Sequence, residues 1–117
     1  MSLLADDTSL LSALDRKMGL ELLELSAERV VGRMPVAGNT QPFGMWHGGA
    51  SCVLAETLAS LGSYAHGRPD RIGVGVDLNA THHRPARSGW VTARLRTSPN
   101  GAATSVTTCG SRPRTAR

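Results

Sequence analysis

The sequence predicts an α+β domain built on a largely antiparallel sheet and one dominant helix. Three observations lead there. Residues 47–66 carry apolar side chains at helical spacing, residues 72–79 and 90–97 alternate apolar and polar with period two, and clusters of Gly, Pro, Asn and Asp punctuate the chain between them. With 117 residues, 40% of them hydrophobic and 19% charged, the composition is that of a single globular domain. We assign that domain to residues 1–110 and expect the basic tail SRPRTAR, from 111 to 117, to be disordered because it has nothing to bury.

Taking the elements in order, Leu10, Leu11 and Leu14 have the spacing of a short amphipathic helix, which Gly19 ends. LELLEL and ERVVGRMPV then read as two extended segments with Ser26 and Ala27 as the turn between them. From Pro35 to Gly44 the chain holds Pro35, Gly38, Asn39, Pro42 and Gly44, too many turn residues for regular structure, so a loop is expected. In the long helix Leu54, Leu58, Leu61 and Ala65 share one face with Val53 beside it, while Cys52, Glu56, Ser60 and Ser63 line the other. Gly67 to Asp70 form a turn. Ile72, Val74, Val76 and Leu78 then alternate with Gly73, Gly75, Asp77 and Asn79, the clearest strand pattern in the chain. WVTARLRT is a further strand, with Arg94 and Arg96 solvating its open face. Pro99, Asn100 and Gly101 make a hairpin turn into a last short strand from Thr104 to Cys109.

Charge is unevenly placed. Residues 1–77 carry a net −3 and residues 78–117, with seven Arg and no acid, a net +7. Such a segment can meet phosphates. Nucleic acid is not expected as the partner, because the arginines are not interleaved with stacking aromatics. No apolar run reaches the roughly 18 residues of a membrane span. Asp6 and Asp7 stand where a signal peptide would be positive, so a cytoplasmic location without membrane contact is expected. Cys52 and Cys109 form no CxxC or Cys/His pattern, and His82 and His83 lack metal-site spacing, so neither a disulfide nor a metal centre is indicated.

The chemistry concentrates in Gln41–Ser60, QPFGMWHGGASCVLAETLAS. His47, Gly48 and Gly49 stand where loop becomes helix, so backbone N–H groups of the first turn and the helix dipole favour an oxyanion there. The glycines allow close approach of a ligand to the backbone. Glu56 is the only acid between Arg29 and Pro69 and sits among small residues, which suits a cleft. Taken singly, His47 is more often a cap or a packed side chain than a catalyst, and Glu56 is by default a solvated helix residue.

Together, HGG, the acid eight residues after the first of those glycines, and the segment VGVDLNATHHRPARSGWVTARLRT resemble the hotdog-fold acyl-CoA thioesterases of the PaaI-like and 4-hydroxybenzoyl-CoA thioesterase type, over about residues 18–97. The resemblance implies a long central helix wrapped by a curved antiparallel sheet, with sites formed between subunits of a homodimer or a dimer of dimers. It implies hydrolysis of an aryl- or acyl-CoA to free acid and coenzyme A, with coenzyme A entering as part of the substrate and no separate cofactor. Residue by residue, it gives Glu56 the place of the catalytic carboxylate, as base or nucleophile, and Gly48 that of the backbone donor to the carbonyl. Gln41 falls where a side-chain amide orients the thioester or the water, His47 fixes the loop, and Ser60 is a hydroxyl near the carboxylate. Asn39 and Gly49 are expected to line the substrate, and Arg84 and Arg87 to meet the coenzyme A phosphates. Gly75 stands where some members carry a serine. Beyond the fourth strand the chain lacks the two further strong strands of the family, which leads us to expect a fold shortened at its carboxyl end. A second reading of the same motif is a non-catalytic hotdog protein that binds acyl-CoA or merely dimerises, inactive through that shortening.

Overall fold

The computed structural model describes residues 10–67, 85–97 and 104–110. In chain order the elements are α1 (Ala13–Met18), β1 (Glu21–Leu25), β2 (Arg29–Pro35), α2 (Gly48–Gly67), β3 (Trp90–Thr97) and β4 (Thr104–Gly110). The strands form one antiparallel sheet in the order β1-β2-β3-β4, and α2 lies across β2 and β3. This is the expected α+β arrangement of a long helix against an antiparallel sheet.

Local chemistry explains each boundary. Ser12 caps α1 through a capping box: its hydroxyl accepts from the Asp15 N–H, and the Asp15 carboxylate accepts in turn from the Ser12 N–H. Gly19, with φ of 77°, closes the helix in the left-handed conformation. The helix expected from the leucine spacing therefore starts later than that pattern suggested. Leu10 and Leu11 precede the cap and pack on the core, whereas Leu14 stays exposed. Ser26 makes the β1–β2 turn by bonding Arg29 through both its backbone and its hydroxyl. Pro35, expected to open the loop, instead ends β2 opposite Trp90, a strand end where its missing N–H costs no ladder bond. Strand β1 slips register between Leu22 and Glu24, a bulge that leaves Leu23 exposed. The expected strand at Ile72–Leu78, the turn at Pro99–Gly101 and the tail 111–117 lie outside the described residues.

The core sits between α2 and the inner face of the sheet. Leu54 and Leu58 of α2 are fully buried against Leu25, Val30, Met34 and Leu95, with Leu61, Val91 and Ala93 completing the layer. The period-2 pattern of β3 is realised: Val91, Ala93 and Leu95 point inward, while Arg94 and Arg96 are exposed. On the outer face Arg33 donates to Glu21 from Nε at 3.0 Å and from a terminal nitrogen at 2.8 Å. It also stacks 3.9 Å from the Trp90 ring, which ties β1, β2 and β3 together.

Gly32 sets the helix-to-sheet distance. A Cβ there would lie 2.8 Å from Leu58 Cδ2 and 3.3 Å from the Glu21 carbonyl oxygen. Because Leu58 has no solvent-facing direction in which to move, the clash cannot be relieved cheaply. Gly32→Ala is expected to destabilise by about 1–3 kcal/mol and Leu58→Ala by about 2–5 kcal/mol. Urea denaturation of the double variant should show a loss well below the sum, because the cavity left by Leu58 receives the new methyl group.

Candidate functional site

The loop between β2 and α2 is a small braced hairpin. Thr40 bridges Trp46, the Gln41 N–H donates to the Met45 carbonyl at 2.8 Å, and the Gly44 N–H donates to the Gln41 carbonyl at 3.0 Å. Gly44, with φ of 81°, completes this turn. Within it the Phe43 N–H donates to Gln41 Oε1, and the Gln41 amide NH2 has no acceptor among the described residues. The hairpin is anchored at both sides. The Trp46 N–H donates to the Ala86 carbonyl at 2.7 Å, and its indole N–H donates to Ser51 Oγ at 2.6 Å.

Asn39, expected to line the substrate, is buried. Its amide nitrogen spends both hydrogens on the Met18 and Pro35 carbonyls, at 2.7 and 2.8 Å, so its side chain braces the loop from within. Its own carbonyl accepts the His47 N–H.

At the start of α2 the HGG residues divide three tasks. His47 Nδ1 accepts the Gly49 N–H at 2.8 Å, and the His47 carbonyl accepts the Ala50 N–H at 2.9 Å. The imidazole thus caps the helix, and its acceptor role at Nδ1 puts the ring proton of the neutral form on Nε2. Gly49 must be glycine for this to happen, since a Cβ would sit 2.9 Å from the ring atoms Nδ1 and Cε1. With Gly49 and Ala50 bonded, the first-turn N–H without an acceptor among the described residues is that of Gly48. It is the donor on which the dipole of a 20-residue helix converges.

Glu56 is exposed at the edge of an open cleft of about 320 Å³ between α1 and α2, and Ser60 lines the same cleft. Sequence reasoning placed Glu56 away from other charges. The structure corrects this, because Asp15 of α1 lines the cleft too. Asp15 is 3% exposed. Its Oδ1 accepts from the Thr57 hydroxyl at 2.6 Å, and its Oδ2 accepts from the Ser12 N–H and hydroxyl at 3.0 and 2.9 Å. Three donors are what a buried carboxylate needs to remain tolerable. Asp15 and Thr57 are thus site residues that sequence reasoning missed. The available signal was the Ser12-x-x-Asp15 capping box, which the leucine spacing overshadowed. The cleft also has an apolar side formed by Leu10, Leu14, Val53 and Leu61.

Of the remaining expected residues, Arg87 is exposed next to Ala86, the residue bonded to Trp46, and so lies near the α2 start. Arg84 falls outside the described residues. Cys52 is a half-buried free thiol. Among the described residues no three His, Cys, Asp or Glu side chains gather as metal ligands would, and no helix is long and apolar enough to cross a membrane.

A long helix lying across an antiparallel sheet, with a first-turn N–H that has no acceptor among the described residues and a carboxylate in a cleft further along the helix, is the arrangement of a hotdog fold. The chain belongs to the thioesterase superfamily, whose pattern matches residues 43–110. It is 49% identical over 89 residues to a Deinococcus radiodurans protein named an esterase, covering 75% of this chain and 56% of that one. It is 45% identical over 80 residues to the proofreading thioesterase EntH of Klebsiella pneumoniae, covering 68% of this chain and 58% of that one. The chain thus spans a little over half the length of these curated relatives. Among solved structures, a Haemophilus influenzae thioesterase superposes with a TM-score of 0.76 at 35% identity, over 83% of this chain and 71% of that one. A Staphylococcus aureus thioesterase superposes with a TM-score of 0.78 at 30% identity, over 86% and 87%. Crystallised variants of that protein replace a Gln and a Glu that stand fifteen residues apart, the spacing of Gln41 and Glu56 here.

The Asp15–Thr57 bond ties α1 to α2 beside Glu56. Thr57→Val is expected to lower stability by about 1 kcal/mol, and Asp15→Ala by about 1–3 kcal/mol because it leaves the Ser12 and Thr57 donors unpaired. Chemical denaturation measures both losses, and hydrogen exchange should show α1 opening before α2.

Proposed function

We propose that the protein hydrolyses the thioester of an acyl-CoA, aryl or aliphatic, to the free acid and coenzyme A. The observation that carries this reading is the pairing, on one helix, of a Gly48 N–H that has no acceptor among the described residues with a Glu56 carboxylate that opens on a cleft. Thioester hydrolysis needs both, a preorganised donor where the oxyanion forms and a carboxylate at the attack side.

Glu56 acts as general base or as nucleophile, and either way the balance is the same. Water supplies an oxygen to the acyl carbon, the C–S bond breaks, and the departing sulfur takes a proton. As base, Glu56 accepts the water proton while the new C–O bond forms, then returns it to the thiolate. As nucleophile, its oxygen bonds the acyl carbon first and expels the thiolate, and water hydrolyses the resulting anhydride. Gly48 donates to the carbonyl oxygen as it becomes an oxyanion. The free NH2 of Gln41 orients the carbonyl or the attacking water, and Ser60, one turn beyond Glu56, offers a hydroxyl to its carboxylate. His47, Gly49 and Asn39 hold the loop in place, and Arg87, with Arg84, meets the phosphates of coenzyme A.

Spacing argues for a site shared between two copies. Gly48 and Glu56 are eight residues apart, about 12 Å along the axis of a helix that rises about 1.5 Å per residue. An oxyanion donor must lie within about 2.7–3.1 Å of the oxyanion. One copy therefore does not bring its own Gly48 and Glu56 to one carbonyl, whereas two copies with antiparallel helices bring the donor of each to the carboxylate of the other.

Thiol release from acyl-CoA esters is expected to fall by about 100- to 10,000-fold in Glu56→Ala with the fold intact. Coexpression of Glu56→Ala with Gln41→Ala should produce mixed dimers with turnover that neither variant shows alone. Full release by Glu56→Ala would remove the catalytic assignment, and silent mixed dimers would remove the shared site.

A further inference from the structure

Three large apolar side chains are conspicuously exposed among the described residues: Leu14 at 52%, Leu23 at 45% and Phe43 at 80%. Leu23 is accounted for by the β1 bulge. The other two flank the two halves of the candidate site. Leu14 stands on the apolar side of the Glu56 cleft, and Phe43 stands at the tip of the hairpin that carries Gln41.

Phe43 is exposed but not loose. Its N–H is bonded to the Gln41 side chain, the turn closes through the Gly44 N–H and the Gln41 carbonyl, and Trp46 bolts the hairpin to Ala86 and Ser51. Two bonds therefore fix Phe43 relative to Gln41, so Phe43 travels wherever Gln41 is delivered. A rigid turn that presents an aromatic ring to water is an unfavourable arrangement unless a second surface covers it. In one copy the ring stays largely exposed, while the Glu56 cleft remains open above Leu10, Leu14, Val53 and Leu61.

We propose that Phe43 of one copy closes the acyl cleft of a second copy, packing toward Leu14 over the acyl group held beside Glu56, and so determines which acyl groups the site accepts. This rests on the shared thioesterase site proposed above. The cleft of about 320 Å³ is at the small end of ligand sites, which run to about 1,000 Å³. With Phe43 as its lid it favours compact acyl groups, an aryl ring or a short chain, and excludes long chains that would have to displace the ring.

Two experiments test this. In the first, kcat and KM are measured for Phe43→Ala and Phe43→Leu with benzoyl-, hexanoyl- and dodecanoyl-CoA. Phe43→Ala is expected to lose about 10- to 100-fold in kcat/KM on the compact esters, mostly through KM, as befits one buried aromatic contact. The dodecanoyl ester should be unaffected or improved, and Phe43→Leu intermediate. The far-ultraviolet circular dichroism spectrum should not change, because the side chain is outside the core of a single copy. An unchanged ranking of the three esters overturns the proposal. In the second, Phe43→Cys and Leu14→Cys are made separately in a background lacking Cys52 and Cys109, mixed, and treated with a short bismaleimide. A 43-to-14 cross-linked dimer is expected, and its absence overturns the placement. The cross-link does not depend on turnover, so a wild-type protein without Glu56-dependent thiol release fails the thioesterase reading while the cross-link still decides where Phe43 sits.

Discussion

The close approach of α2 to the sheet at Gly32 governs the rest of the molecule. Without a Cβ at that point, Leu58 settles into β2, Leu54 follows one turn earlier, and the helix axis is fixed over β2 and β3. The remaining polar contacts then set how the helix is aimed. Asn39 joins the end of α1, the end of β2 and the loop, Trp46 and Ser51 lock the first turn, and Asp15 with Thr57 locks the middle. Each of these bonds is worth about 1–3 kcal/mol at most, but the last two are made at different points along the helix, and the first holds the loop that leads into it. Together they leave it no free rotation or slide.

That rigidity gives the two glycines after His47 their separate meanings. Gly49 has no side chain so that an imidazole can fold back over the backbone and cap it. Capping uses up the neighbouring N–H and isolates that of Gly48. The donors of the first turn are thus taken up one by one until, among the described residues, that of Gly48 is left without an acceptor.

Much of the architecture was legible because it rests on periodicity. The buried stripe Leu54, Leu58 and Leu61, the alternation in β3 and the Ser26 turn are all written in spacing, and the structure realises them. The position of α1 was less legible because two signals competed. Three leucines suggested one phase, whereas the Ser12–Asp15 capping box, a local hydrogen-bond device, determined where the helix begins. Strand β4, with its run of Ser and Thr, shows little apolar alternation and is held by pairing with β3 from Val91 to Thr97. In the cleft, Glu56 and Ser60 stand together in one sequence motif, whereas Asp15 announced itself only through its capping box, with nothing to tie it to the same cleft. A carboxylate forty-two positions from its Thr57 partner leaves no periodic trace, and only the packing of α1 on α2 brings the two together.

The eight-residue interval between Gly48 and Glu56 also constrains how this chain can vary. One residue inserted between them would swing the carboxylate by about 100° around the axis, out of the cleft and toward the core or the solvent. Seven would restore the phase but lengthen the interval by about 10 Å, too far for the antiparallel pairing of two helices proposed above. Angle and distance are thus satisfied together by one interval, and the identities of the residues inside it are held less tightly than their number. The helix serves as a ruler as much as a scaffold.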